Sequence, residues 1–456
     1  MQIQVLKLRN SMNLLEGLTT PRARMIATEV KTGKGRGRKT RTAVVKEQAW
    51  PILHNILLQD GQAIATDLNL GVMIDLPEVV GQYLLPFKQV SKLLAYVPGS
   101  DKVTIEMLGK NVSLKWPDGS ATLEADDPRD YPVIPQIKPV IKNEISADML
   151  VPNLVAMLDY CSEGEDRPVL SGVSLFLGDE LEIAAGDGFR MAYKTLPVAL
   201  PSADGLKTVI LPAKAIDILE HLWKKAPRPV DGSVQSVVDM AINKGMMQVE
   251  ISPILFKAQF GIVTLLCKTI QGTPPNFKAL IPTGVEQNEV QLMAPDLERA
   301  LGSLAVSAKE AVGVGAGAVR MLWDKGQMKL SAEAGAANVE ATIPVHTLDG
   351  GGRIAIHINY LVEYIKGKQG LLTIKVTTPT APAVFRYSQA PFVAIMPMQV
   401  TWPDQAPPEV KADAIEAAKA EAEGEDTEDK EEPGKGEPTE QELDSQEEHE
   451  AETKVT

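Results

Sequence analysis

Residues 178–198 read GDELEIAAGDGFRMAYKTLPV. A Gly-Asp turn opens it, apolar residues then alternate with others, an Ala/Gly-rich bend follows, and a second alternating run closes on Leu196-Pro197. Period-two alternation interrupted by glycine reads as two strands joined by a bend. The same grammar returns at 59–79, QDGQAIATDLNLGVMIDLPEV, and at 324–345, DKGQMKLSAEAGAANVEATIPV, although the letters differ. A stretch of helical period lies upstream of each copy and another downstream. A repeat of roughly 130 residues is too long for a solenoid unit and about right for a domain. Three similar domains in a row predict a symmetric object built by repetition, which is rarely how an active site is made.

The length of 456 residues agrees with about three domains. Its longest apolar run, around Gly261 to Cys267, is strand length and far short of a membrane helix. The opening MQIQVLKLRNS has no signal-peptide core, and Cys161 and Cys267 stand alone. Together these predict a cytoplasmic protein without a disulfide framework. The net charge of -14 is unevenly placed: Pro403 to Thr456 holds 20 acidic residues against 5 lysines. The preceding 402 residues hold 41 basic and 40 acidic ones, so the body is close to neutral. The acidic stretch has almost nothing apolar to bury beyond alanine and is expected to be disordered.

The divisions expected are residues 1–142 (with a basic insertion over about 19–49), 143–284 and 285–402, followed by the acidic tail 403–456. In the first domain a strand at Ile3 to Val5 leads to a helix near Arg9 to Leu18, and a second helix runs from Pro86 to Val97. In the second, Ser146 caps a helix with Met149, Leu150, Leu154, Met157 and Leu158 on its apolar side. Another helix follows Pro212 and buries Ile216, Leu219 and Leu222. In the third, Pro295 sits at a helix start ahead of Leu297, Leu301 and Leu304. A last helix follows Asn359, with Leu361, Tyr364 and Ile365 inward. Each domain reads as two strand–helix–strand–strand halves, giving an α+β chain with six helices and many short antiparallel strands.

The second helices repeat a charge pattern. PFKQVSKLLAYV sets Lys88 and Lys92 four residues apart, opposite Val90, Leu93, Leu94 and Val97. PAKAIDILEHLWKK carries Lys214, Lys224 and Lys225, and NYLVEYIKGK carries Lys366 and Lys368. Surface helices usually carry lysines, but recurrence in all three domains points to a sequence-blind phosphate-attracting surface. A basic run from Arg22 to Lys46, including Arg24, Arg36, Arg38, Lys39 and Arg41, has only Glu29 among its nine cations. It reads as a flexible nucleic-acid-contacting loop. The run GKGRGRKT is not a phosphate loop, because Arg38 stands where the glycine before the lysine must be.

Catalytic chemistry finds no foothold. The five histidines are scattered, with no HExxH, no Cys pair and no GxSxG elbow. The glycines at 313, 315 and 317 fall between a helix and a strand, the wrong order for a dinucleotide fold. Asp126, Asp127 and Asp130 read as a polar turn around Pro128. No enzyme activity, metal or cofactor is expected.

At this level of detail the chain resembles the bacterial sliding clamp, the DNA polymerase III beta subunit family, over Met1 to about Trp402. The motifs that carry the likeness are WPILHNILL with ATDL, RPVLSGVSLF followed by GDGFRMA, TPPNFKALIP, and the closing FVAIMPMQV. Family members end on a similar Met-Pro-Met segment and carry a similar Asp-Gly-x-Arg turn. The resemblance implies three DNA-clamp domains, each with two helices packed on antiparallel sheets, and a head-to-tail homodimer closing a ring of six domains. Such a ring encircles double-stranded DNA without reading sequence and tethers DNA polymerase, with no cofactor and no membrane contact.

The resemblance also implies a groove that holds short peptide motifs of polymerase and clamp loader. Its walls would be Leu170, Gly186, Gly188, Phe189, Arg190 and Met191, then Pro275 and Leu280, then Tyr360, Met396, Pro397 and Met398. Flexible methionines suit linear motifs of varying sequence. Gly186 stands where the family usually has Thr, and Ala279 and Gln399 replace basic residues, which removes positive charge from the rim. The basic insertion and the acidic tail lie outside the common pattern. Two other readings are a clamp-like scaffold that never loads onto DNA and a hydrolase or transferase. The first is favoured if the lysine helices line no hole, the second only by an ordered metal or a convergent acid/base pair.

Overall fold

The quoted repeat folds as read. Leu181–Gly186 pairs antiparallel with Arg190–Leu196, Gln62–Thr66 with Leu70–Asp75, and Gln327–Ala334 with Ala337–Pro344. Two of the turns that precede these hairpins need left-handed backbone: Asp60 and Gly61 have φ of 50° and 76°, Lys325 and Gly326 of 48° and 83°. Consecutive positive φ values fit the right-handed twist of the flanking strands. The computed structural model describes residues 1–19, 24–29, 40–45, 50–164, 166–225, 245–281, 288–308, 315–334, 337–347 and 350–402, with backbone alone for 24–29, 40–45, 334 and 337. Met1–Gln399 forms one unit, and the chain from Val400 onward is another.

Six α-helices lie among the described residues: α1 Val5–Thr19, α2 Phe87–Leu94, α3 Ala147–Val155, α4 Ala213–Lys225, α5 Ala294–Ala308 and α6 Ile358–Ile365. They pack in pairs, α1 on α2, α3 on α4 and α5 on α6, and α1 also meets α4. That last contact is tight at Gly17, where a Cβ would stand 2.5 Å from Ile218 Cδ1. Asn13 O lies 3.1 Å from His221 Nε2 in the same contact.

Several boundaries differ from the sequence reading. The first strand is Gln2–Gln4, and α1 begins a turn earlier than Arg9 because Val5 and Leu8 already bury. Ser146 caps α3 as expected, accepting the Met149 N–H at 3.3 Å. The buried stripe is Ala147, Leu150, Val151 and Leu154, so Met149 is only half-buried. Leu158 falls in a separate 3₁₀ turn. Asn359 is inside α6, whose cap is His357: its Nδ1 accepts the Asn359 N–H at 3.2 Å. The basic run is not simply a loop. Arg24–Glu29 and Thr40–Val45 form an antiparallel hairpin, with Arg24 opposite Val45 and Arg41 opposite Thr28. Arg36, Arg38, Lys39 and the tail lie outside the described residues.

The sheets carry the repeat. A four-stranded sheet orders Gln2–Gln4, Lys102–Met107, Asn111–Trp116 and Gly119–Glu124. Another orders Ala337–Pro344, Gln327–Ala334, Ala318–Asp324 and Gly352–His357. The eight-stranded sheet is built from the same two kinds of four-strand module joined edge to edge, and the nine-stranded sheet from two such modules with His346–Thr347 added at one edge. In the eight-stranded sheet the join is Leu70–Asp75 against Val263–Lys268. In the nine-stranded sheet it is Arg190–Leu196 against Phe392–Ile395.

Candidate functional site: a peptide groove and cationic helix faces

At the second join, Met396 donates its backbone N–H to Phe189 O at 2.8 Å, which extends the Arg190–Ile395 pairing past the end of the ladder. On the outer face of this sheet Leu170, Ala184, Met191, Tyr193, Phe277, Val384 and Ala394 form a small core of their own. The linker segment Pro274–Ile281 lies over it. Asn276 caps a short 3₁₀ turn by accepting the Ala279 N–H at 3.3 Å, which drives the Phe277 ring down into the cluster. Gly186 is part of this fit, because a Cβ there would stand 3.0 Å from Phe277 Cε1. The departure from threonine therefore makes room for a buried aromatic ring.

Of the expected wall residues, Leu170 and Met191 form the buried floor rather than the surface. Phe189, Leu280 and Met396 are 61%, 52% and 45% exposed, and Pro275, Tyr360, Pro397 and Met398 are half-buried. Phe189 stacks on Tyr360 with ring centres 6.4 Å apart. Gly188 has φ of 97°, which lets the chain turn between Asp187 and Phe189. Three large apolar side chains thus stand in water around an apolar floor, an arrangement that marks interaction sites.

Arg190 does something other than line the rim. Asp187 Oδ1 accepts the N–H groups of Phe189 and Arg190 at 2.8 and 2.9 Å, and Asp187 Oδ2 accepts Arg190 Nε at 3.0 Å. The guanidinium also donates to Glu363 Oε2 at 2.6 Å and Asp159 O at 2.8 Å, between the Tyr160 and Tyr360 rings. Its side chain is 11% exposed. Burial opposes the charge, but the Asp187 and Glu363 carboxylates outweigh it and hold the pKa above the ordinary arginine value. Sequence reasoning missed Asp159 and Glu363 because nothing local marks them as its partners.

The helix lysines divide into two groups. Lys88, Lys92, Lys225 and Lys366 are exposed. Lys214 pairs with Asp67 at 2.5 Å and Lys224 with Glu220 at 2.5 Å. Lys368 is half-buried, donates to Tyr364 O and sits over the Tyr364 ring at 4.3 Å. Burial lowers its pKa from the usual lysine range. Arg24 and Arg41 are placed on hairpin strands. Among the described residues no group of three or more His, Cys, Asp and Glu could hold a metal, and no helix is long and apolar enough to cross a membrane.

Residues 153–276 match the family described as DNA polymerase III beta subunit, central domain. The chain is 26% identical over 359 residues to the beta sliding clamp of Synechococcus elongatus, covering 75% of this chain and 90% of that protein. It is 23% identical over 348 residues to that of Staphylococcus epidermidis, covering 72% and 85%. Over most of its length the chain is thus similar to bacterial beta sliding clamps, and its middle part matches that family's model. Among solved clamps, the Pseudomonas aeruginosa beta subunit superposes with a TM-score of 0.70 at 18% identity, covering 87% of this chain and 99% of that one. A Bartonella birtlesii clamp bound to griselimycin gives 0.69 at 20% identity, covering 88% and 99%.

Proposed function

We propose that this protein is a DNA sliding clamp: a head-to-tail homodimer of six domains that encircles duplex DNA and tethers replication proteins through the Phe189–Met396 groove. One observation carries the reading. Both sheet joins obey the same rule, in which the second strand of a repeat hairpin pairs with the last strand of the neighbouring module. Applied a third time, the rule assigns Ala337–Pro344 a partner equivalent to Val263–Lys268. The equivalent strand is Gly119–Glu124, the free edge of the first sheet. Both strands end their sheets, so a second copy satisfies both edges and leaves neither open to other pairing.

The register follows from the joins already made. Val72 faces Leu265 and Ala192 faces Val393, and the matching positions at the open edges are Val339 and Ala121. Thr122 would then face Asn338 and Ser120 would face Glu340. The parity agrees, since Ala121 and Val339 are half-buried while Ser120, Thr122, Asn338 and Glu340 are exposed. The domain limits 1–142, 143–284 and 285–402 give each chain three of the six domains. In this reading the ring works by topology in the cytoplasm, with polymerase and clamp loader as partners and no catalytic step or cofactor of its own.

A clamp-like scaffold that binds partners without encircling DNA is the second reading. The engagement of Lys214, Lys224 and Lys368 within the fold favours it. The two separate on oxidation of a Thr122→Cys, Asn338→Cys double variant in the presence of nicked circular DNA. A ring gives a covalent dimer that stays on the circle at high salt and slides from linear DNA. A monomer after oxidation, or equal retention on both DNAs, overturns the ring.

A further inference from the structure

We infer that the peptide groove extends along the outer sheet face to Arg386, which takes a carboxylate flanking the partner's apolar anchor; this rests on the groove reading above. Phe392 and Ala394 share one face of their strand and belong to the floor, and Met396 follows directly after the strand, two residues beyond Ala394. At about 3.3 Å per residue that path is roughly 13 Å, or four residues of extended peptide. Beyond Phe392 the face opens into a cavity of about 250 Å³ whose lining includes Tyr193, Lys194, Thr195, Arg386, Tyr387 and Phe392. A second cavity of about 500 Å³ lies on the other side of Arg386, against Leu371 and Thr373.

The charge around this path points to an acidic flank. Lys278 on the linker pairs with Glu182, and Lys375 on the same sheet face pairs with Glu289 at 2.6 Å. Lys194 donates to Gln389 O and so is tied to the 386–390 turn. Arg386 is exposed and makes no salt bridge among the described residues, while cavities on both sides leave its planar fork accessible. A guanidinium binds a carboxylate through two parallel hydrogen bonds, which favours Asp or Glu over an amide. The positive charge missing from the rim at Ala279 and Gln399 is thus found one strand length away.

Three fluorescein-labelled decapeptides test this, each with a Leu-Leu anchor. One carries Asp-Asp four residues before the anchor, one four residues after it, and one carries Asn-Asn. One acidic peptide is expected to bind the full-length protein about fivefold tighter than the Asn peptide at low salt. Arg386→Gln should erase that difference while leaving the Asn peptide's affinity unchanged. No acidic preference, or a preference that survives Arg386→Gln, overturns the inference. Failure of the groove reading looks different: the Asn peptide then does not bind, or binds a Met396→Asp variant equally well, and the inference falls with it.

Discussion

Met396 donates its N–H to Phe189 O at 2.8 Å, and Lys268 donates its own to Asn69 O at the same 2.8 Å. The two joins share more than this bond. Asp67 caps its turn as Asp187 does, accepting the Asn69 and Leu70 N–H groups at 3.0 and 2.7 Å. Leu68, with φ of 75°, stands where Gly188 stands in the other copy. The side chains differ: the positions of Phe189 and Met396 are taken by Asn69 and Lys268. The backbone frame is therefore repeated while the apolar surface is present at one join only. This difference of side chains, not of fold, leaves the exposed Phe189 and Met396 pair at the join between the second and third repeats.

A charge at Met396 should act on that surface alone. Met396 is 45% exposed, so Met396→Asp should leave the fold intact. Burying its carboxylate against an incoming apolar anchor is costly, and a few anchors carry most of the energy in such grooves. Anisotropy with the Asn-Asn peptide should show at least about tenfold weaker binding, equivalent to about 1.4 kcal/mol. Unchanged affinity would place the groove elsewhere.

Arg190→Gln should act on stability. The substitution leaves Asp187 and Glu363 without their counter-charge and strips the cation from the two tyrosine rings. Breaking a largely buried pair from one side costs about 3 kcal/mol. Glu363 is 55% exposed, so Glu363→Gln should cost under about 1 kcal/mol. Urea midpoints of the two variants at unchanged slope measure the contrast.

What the sequence made legible was local. The hairpin turns announce themselves through Asp60-Gly61 and Lys325-Gly326, and the helices through the spacing of Leu297, Leu301 and Leu304. The joins were not legible, because Leu70–Asp75 and Val263–Lys268 lie far apart in the chain and nothing in either strand marks its partner. The Arg190–Glu363 pair, 173 residues apart, is hidden for the same reason. The basic run misled by composition. Its glycines and cations drew attention from the alternation in RMIATE and TRTAVV, which pair as strands. Of the candidate groove, Phe189, Tyr360 and the methionines were named through resemblance, while the packing of Phe277 against Gly186 needed the structure.

Alkaline pH should weaken the fold through buried acids. Burial pushes Tyr131 up to about 12, opposed by the Thr66 N–H its hydroxyl accepts, and burial pushes the Cys267 thiol up to about 12. An acid raised in the folded state favours the neutral form there. Its contribution is whole below its unfolded pKa, near 10 for Tyr and 8.5 for Cys, and is lost as pH climbs towards 12. Two units at Tyr131 amount to about 2.7 kcal/mol. Tyr131→Phe should lose about 1 kcal/mol at pH 8, since the Thr66 N–H goes unpaired, yet show a shallower fall between pH 10 and 12. Melting temperatures across that range decide it, and parallel curves would refute the assignment.

Lys88 and Lys92 lie four residues apart on one face of α2, are exposed, and make no salt bridge among the described residues. Lys368 is held by Tyr364 O and by two tyrosine rings, so moving it to a phosphate would cost those contacts first. Each phosphate neutralised by a lysine contributes about 0.9 to the slope of log affinity against log salt on duplex DNA. Lys88→Gln with Lys92→Gln should therefore reduce that slope by up to about 1.8, without altering preference between DNA sequences. Lys368→Gln should leave the slope unchanged and lower the melting temperature. Anisotropy titrations on a short duplex from low to moderate salt measure this. Equal slopes for wild type and the Lys88, Lys92 variant would mean that α2 does not face the DNA, and the scaffold reading would then stand ahead of the ring.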